Sequence, residues 1–316
     1  MMTLRFIGGR LAALAGTLFV ASVVVFGGLY LAPGSPLGFL TGGRSLPPQT
    51  LDAISSQYGL NEPLPERYLN WLLGLLHGDL GVSIVYQQSV SSLLWPRLET
   101  TLLLLLYATI LIILFGVGSG FMAGVRGGKV DTSVNLFSSI GLAVPSFVAA
   151  IILITVFAAQ LGWFPVLGPG SGLLDRLWHL TLPAVALALS SVAFVARITR
   201  FAAREELARD HVNAALVRGI PRGVVLRRHV ARNALVPIST VVGLTSASLI
   251  AGSVVVDQAF ALNGLGSYLI SSVNNHDYPV VQAITLLMVL AFVLINTVID
   301  IAYPWIDPRI ELGARS

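Results

Sequence analysis

Six uncharged apolar runs set the pattern of this chain: Leu11–Leu31, Thr100–Val125, Val134–Leu161, Leu180–Ala196, Ala234–Val256 and Val280–Ile299. A bilayer core about 30 Å thick takes roughly 20 helical residues to cross, so each run predicts one transmembrane helix. The fourth is the shortest and must borrow flanking residues such as Leu177, Trp178 and Ile198. Pro145 interrupts the third and should kink or break it, because proline removes a backbone donor; neighbouring helices or Ser146 would then satisfy the freed carbonyls. Gly116-Val117-Gly118-Ser119-Gly120 in the second run suits close packing against another helix. The first run is too long for a signal-peptide core, and no Ala-x-Ala site follows it, so it is expected to remain as an anchor.

Between the runs lie two polar segments with structure of their own. In Ala32–Glu99, Pro47-Pro48 precedes a helix-like run from Gln49 to Tyr58 that Gly59 can end. Pro63 and Pro65 open a second, amphipathic run carrying Tyr68, Leu69, Leu72, Leu73, Leu75 and Leu76, which ends near Gly78. That run either packs on the bundle or offers a docking surface for an extracytoplasmic protein, with Tyr58, Leu64, Tyr68, Trp71 and Leu72 as the candidate docking residues. In Arg197–Pro237, Ala202 to Arg218 predicts a helix with Glu205 and Glu206 paired to Arg209. Gly219 fits the left-handed position past its end, and Pro221 can start a second short helix. The two helices and their glycine corner sit between two spans, so a force applied there would turn both.

Charge placement orients the chain. With the N-terminus inside, fifteen of the nineteen Lys and Arg residues fall on the inner side, nine of them arginines between Arg197 and Arg232. This asymmetry predicts that both termini are cytoplasmic. Topology alone needs only a few charges beside the spans, which leaves some forty organised residues to serve a soluble partner.

Composition agrees with a membrane protein: 55% of the residues are hydrophobic, 11% are charged, and mean hydropathy is +0.82, where a soluble domain carries about a quarter charged residues. There is no cysteine, which excludes disulfides and thiolate metal sites. No two of the five histidines lie three or four residues apart, so no metal site is expected. The spans lack the buried ionisable group that an ion-coupled secondary transporter, the rival class, would place mid-membrane. Asp257 and Asp300 stand at span ends, where capping or interfacial roles suit them better than a proton relay. No G-x-x-x-x-G-K-[ST] or G-x-S-x-G string occurs, so the chain is not expected to hydrolyse ATP or act as an enzyme.

Asn213-Ala214-Ala215, followed after three residues by Gly219, resembles the EAA-x-x-x-G signature of ABC importer permeases. The string DHVNAALVRGIPRGVVLRRHVARNALVP resembles the oligopeptide/dipeptide family of those permeases, B-type subunit. So do LAPGSP at Leu31–Pro36, LPP at Leu46–Pro48, YGLNEPL at Tyr58–Leu64, HGDLGVS at His77–Ser83, VPSF at Val144–Phe147, ARITR at Ala196–Arg200, GLG at Gly264–Gly266, DYP at Asp277–Pro279 and IDPRI at Ile306–Ile310. The chain departs from the family pattern at Asn213, where the signature has glutamate, at His211 for tyrosine, at Asn263 for the proline of Pro-Gly-x-Gly, and at Asp257 for glutamate.

The resemblance implies an all-α integral membrane protein: a six-span bundle of the type I ABC importer permease kind, with a large structured extracytoplasmic loop after span 1. The expected parts are span 1 and its N-terminus (1–31), the outer loop (32–99) and a core of spans 2 to 6 (100–316) holding the coupling loop 197–237. The implied function is half of a translocation pathway for di- or oligopeptides in a prokaryotic plasma membrane, with glutathione or nickel chelates as alternative solutes. Asn213, Ala214, Ala215, Arg218, Gly219 and Pro221 are the implied coupling residues. The implied partners are a second, C-type permease, two ATP-binding subunits that hold the ATP and Mg, and an extracytoplasmic binding protein. Peptides share a backbone but vary in side chain, so the pathway should be roomy, and no residue is singled out as lining it.

Overall fold

The computed structural model describes residues 2–31, 47–49, 52, 55 and 61–306, with side chains described over 8–28, 47–49, 52, 55 and 61–298. The helices are α1 Met2–Leu31, α2 Leu64–Leu76, α3 Val90–Leu111, α4 Gly118–Arg126, α5 Gly128–Ala143, α6 Ser146–Leu153, α7 Leu173–Leu207, α8 Asp210–Val217, α9 Arg222–Val225, α10 Arg232–Phe260, α11 Leu265–Asn274 and α12 Tyr278–Ile306. Wider π-helical turns at Ile112–Val117 and Leu226–Ala231 run α3 into α4 and α9 into α10, and a third, Ile154–Gln160, extends α6. Among the described residues five stretches are long and apolar enough to cross a membrane: Gly8–Gly28, Val90–Arg126, Leu173–Leu207, Arg222–Phe260 and Tyr278–Val298.

The remaining candidate span is broken. Gly128–Ala143 and Ser146–Gln160 meet at 100°, with Val144 extended (φ −93°, ψ 113°) and Pro145 capping α6 at φ −62°, ψ 148°. The residue before a proline is pushed out of the helical region, so the turn falls where the sequence placed it, and it is sharp enough to be a corner. The Ala149 N–H donates to the Pro145 carbonyl at 3.0 Å, which recovers one bond.

The central element is α7. It packs on α3, α4, α5, α6 and α10 through a buried face that includes Ala184, Ala186, Leu187, Ala188, Val195 and Ala196. The predicted glycine contact is made here. Gly116, Gly120 and Gly124, one turn apart, lie against α7: a Cβ added at Gly120 would sit 2.3 Å from the Ala196 carbonyl oxygen, and one at Gly124 would sit 2.8 Å from the Ala203 Cβ. From α5, Gly141 approaches Ala193 in the same way, at 3.0 Å. Without a hydrophobic driving force between helices in lipid, backbone approach of this kind is what holds them together.

At the periphery α1 packs on α12, and α2 packs on α1. Phe26 meets the Tyr68 and Trp71 rings at 5.3 and 5.4 Å, and the Ser22 and Tyr68 hydroxyls bond at 2.8 Å. Pro63 and Pro65 open α2 as the sequence predicts. Gly78 (φ +82°) closes it, with Gly78 N–H on Leu75 and Asp79 N–H on Gly74 at 3.0 and 2.9 Å. The predicted helix from Gln49 to Tyr58 lies largely outside the described residues.

Candidate functional site

Two polar assemblies cap the bundle, one at each end. At the end remote from the arginine-rich segment, Asp257 is buried and its carboxylate accepts from the Gly264 and Ser267 amides at 3.0 and 2.9 Å and from the Ser267 hydroxyl at 3.3 Å. It therefore holds the N-terminus of α11, where unpaired amides and the helix dipole favour an anion. Asp277, also buried, accepts from the Ser83 hydroxyl at 2.5 Å and the Ile84 amide at 3.0 Å, tying the far side of α11 to the segment before α3. Between them Arg97 lies 4.0 Å over the Tyr268 ring. Burial, opposed by Arg97, pushes the Tyr268 hydroxyl up to about 12. Both aspartates accept from local donors, and Asp257 is the cap of α11, as its place at a span end suggested. The side chain of Asp300 lies outside the described residues.

The arginine-rich end holds the two-helix corner. The predicted helix from Ala202 to Arg218 is in fact two: α7 ends at Leu207, and α8 begins at Asp210 after Arg209 takes an extended conformation (φ −75°, ψ 145°). Glu206 is the reason for the break. It is buried, and its carboxylate gathers Arg209 Nε at 3.1 Å, His211 Nε2 at 3.1 Å and Asn233 Nδ2 at 2.7 Å. In a continuous helix Arg209, at i+3, would still face Glu206, whereas His211, at i+5, would turn away from it; Asn233 stands at the start of α10. Glu205 pairs with Arg209 as well, at 3.2 Å. One carboxylate thus joins α7, α8 and α10.

The glycine turn forms as the sequence predicts. Gly219 has φ +74°. Its N–H donates to Leu216 at 3.0 Å, and the Ile220 N–H donates to Ala215 at 3.2 Å, the two bonds of a Schellman end. Pro221 then caps α9. Beneath the turn a small core of Val212, Ala215, Val225 and Val230 fixes the angle between the two helices.

This packing divides the predicted coupling residues. Ala215 is buried in the small core, where its size serves internal packing. Asn213, Ala214, Arg218, Gly219 and Pro221 are exposed. Beside them the structure exposes two apolar residues that the sequence reasoning had not chosen, Leu216 at 42% and Val217 at 88% of their surface. An apolar residue next to the glycine corner was the available signal for Val217. His211 and His229, distant in sequence, come together with ring centres 6.1 Å apart. Among the described residues no three His, Asp or Glu side chains converge to hold a metal.

Above the corner, Asp131 of α5 accepts from Arg200 and, at 2.8 Å, from Arg204, both on α7. The α4–α5–α7 unit is therefore clamped by charge at the end where the glycines already press α4 and α5 onto α7. Of the candidate docking residues, Leu64 is exposed, Tyr68, Trp71 and Leu72 are half-buried with the two rings against Phe26, and Tyr58 lies outside the described residues.

Comparison with known proteins agrees with these features. Residues 116–312 match the model of the binding-protein-dependent transport system inner membrane component, and residues 2–105 match that of the N-terminal part of such membrane components. The chain is 38% identical to the probable peptide ABC transporter permease protein y4tP of Sinorhizobium fredii, covering 96% of this chain and 97% of that one. It is 38% identical to the oligopeptide transport system permease protein AppB of Bacillus subtilis (89% and 90% covered). It is 34% identical to the glutathione transport system permease protein GsiC of Escherichia coli (98% and 99% covered). Among solved structures, an inward-facing conformation of the MetNI methionine ABC transporter shares the fold, with a TM-score of 0.57 and 17% identity over 68% of this chain and 97% of that one.

Proposed function

The chain belongs to the family of binding-protein-dependent transport system inner membrane components, and from that premise we propose that it forms half of the peptide pathway of an ATP-driven importer. The observation that carries this is the corner between α8 and α9. It presents Ala214, Val217 and Gly219 outward while Glu206 fastens it to the spans on both sides. A partner pressing there moves α7 through the chain itself and α10 through Asn233. With α7 move α4 and α5, joined to it by Gly120, Gly124, Gly141 and Asp131.

In this reading both termini are cytoplasmic, the corner faces two ATP-binding subunits that hold ATP and Mg, a second permease completes the pathway, and a binding protein delivers the solute outside. Relatives named for oligopeptide and glutathione transport support a peptide-like solute. The aspartates support a drive from outside the bilayer, since Asp257 and Asp277 are each bonded to local backbone and hydroxyl donors.

The test is uptake of a labelled dipeptide by a strain lacking the gene and complemented with Gly219→Arg. A Cβ at Gly219 meets no neighbouring atom, and the left-handed φ of +74° costs an L residue only about 1–2 kcal/mol, confined to the turn, so the variant should still be found in the membrane by immunoblot, and uptake should fall to background. Full uptake would refute the role of the corner.

A further inference from the structure

Past the corner, a concavity of about 650 Å³ opens between α9 and the start of α10, lined by Pro221, Gly223, Val224, Arg227, Arg228 and Arg232. Its three arginines are exposed, and among the described residues none of them makes an ion pair. Three unneutralised guanidinium groups around one hollow repel one another, and an anion placed there relieves that repulsion.

Depth decides what kind of anion. Arg232 stands two residues before Ala234, where the uncharged membrane run begins, which on the topology read from the sequence puts its guanidinium near the lipid phosphates, with Arg227 and Arg228 about one turn further out. One turn deeper on α10, Leu235 is 47% exposed, and across the hollow Val224 is 43% exposed. Charged groups at phosphate depth beside exposed apolar side chains make an amphiphilic seat. A small anion free in solution would meet the arginines but leave those apolar surfaces uncovered.

We propose that Arg227, Arg228 and Arg232 form a binding site for an anionic phospholipid, its phosphate held by the guanidinium forks and its acyl chain along Leu235. Guanidinium suits this role because its planar donors match two phosphate oxygens at once, and basic hollows beside membrane helices are where lipid head groups settle. The site does not depend on which solute the protein carries. It would seat the hinge between corner and span at the membrane surface, where the start of α10 turns as the corner moves.

The experiment is native mass spectrometry of the full-length chain, released from mixed micelles containing equal phosphatidylglycerol and phosphatidylcholine. The wild-type chain should retain phosphatidylglycerol in preference. Each of Arg227→Gln, Arg228→Gln and Arg232→Gln should lower that preference about fivefold, with the melting temperature unchanged because the side chains are exposed. Equal retention of both lipids by the wild type, or undiminished preference in the triple variant, would overturn the site. So would complete displacement of the lipid by millimolar inorganic phosphate, which would mark a seat for a soluble anion. A triple variant that keeps its lipid but no longer co-purifies with the ATP-binding subunit would assign the arginines to a protein partner and overturn it equally.

Discussion

Gly120 of α4 and Ala196 of α7 lie so close that a Cβ on the glycine would fall 2.3 Å from the alanine's carbonyl oxygen. Backbone meets backbone there, and no side-chain rotation can relieve an added atom. This contact, more than any polar one, makes α4 and α7 a single moving piece.

Gly120→Ala should therefore lower the melting temperature in detergent, with a cost of about 1–3 kcal/mol from overpacking. Gly118, on the same helix but with open space around it, supplies the control: Gly118→Ala should be neutral or slightly stabilising, because alanine favours helix over glycine by up to about 1 kcal/mol. Equal effects at the two positions would show that helix propensity, not contact, governs the site.

Glu206→Ala removes the acceptor shared by Arg209, His211 and Asn233. A hydrogen bond to a charged group is worth about 1.5–3 kcal/mol, so amides of residues 210–217 should exchange hydrogen roughly ten- to hundredfold faster. Exchange in α3 and α12, which Glu206 does not touch, should not change. Unaltered protection of α8 would mean that the small core of Val212, Ala215, Val225 and Val230 holds the corner by itself.

Asp257→Ala leaves the Gly264 and Ser267 amides without their acceptor, at a cost of about 1–3 kcal/mol for each buried group. The variant should melt earlier, and Asp257→Asn, which keeps one carbonyl oxygen, should recover part of the loss. A fully stable alanine variant would remove Asp257 from its place as the cap of α11.

Local chemistry was legible in the sequence, and distance was not. Five of the six expected spans, the break at Pro145 in the other, the turn at Gly219 and the ends of α2 at Pro63 and Gly78 each follow from a few neighbouring residues, and each falls where the sequence puts it. The glycine run also pointed to close packing, though Gly124 joined the contact unannounced because it lies beyond the run. What the chain could not reveal is what comes together across many residues. Glu206 meets Asn233 twenty-seven positions on, and that meeting splits a helix whose charge pairs alone suggested continuity. A search for histidines at helical spacing could not see His211 beside His229. Ala214 and Ala215 look alike in sequence, and only the fold under the corner sends one outward and buries the other.

The central claim is that this chain is moved from its arginine-rich corner by a partner's hydrolysis of ATP. The most direct measurement is peptide accumulation in proteoliposomes containing the chain, a second permease, the ATP-binding subunits and the binding protein, compared with vesicles holding the chain alone under a proton or sodium gradient. The account predicts accumulation only in the complete assembly supplied with ATP, and its loss when the chain carries Gly219→Arg. Accumulation by the chain alone, driven by the ion gradient, would contradict it.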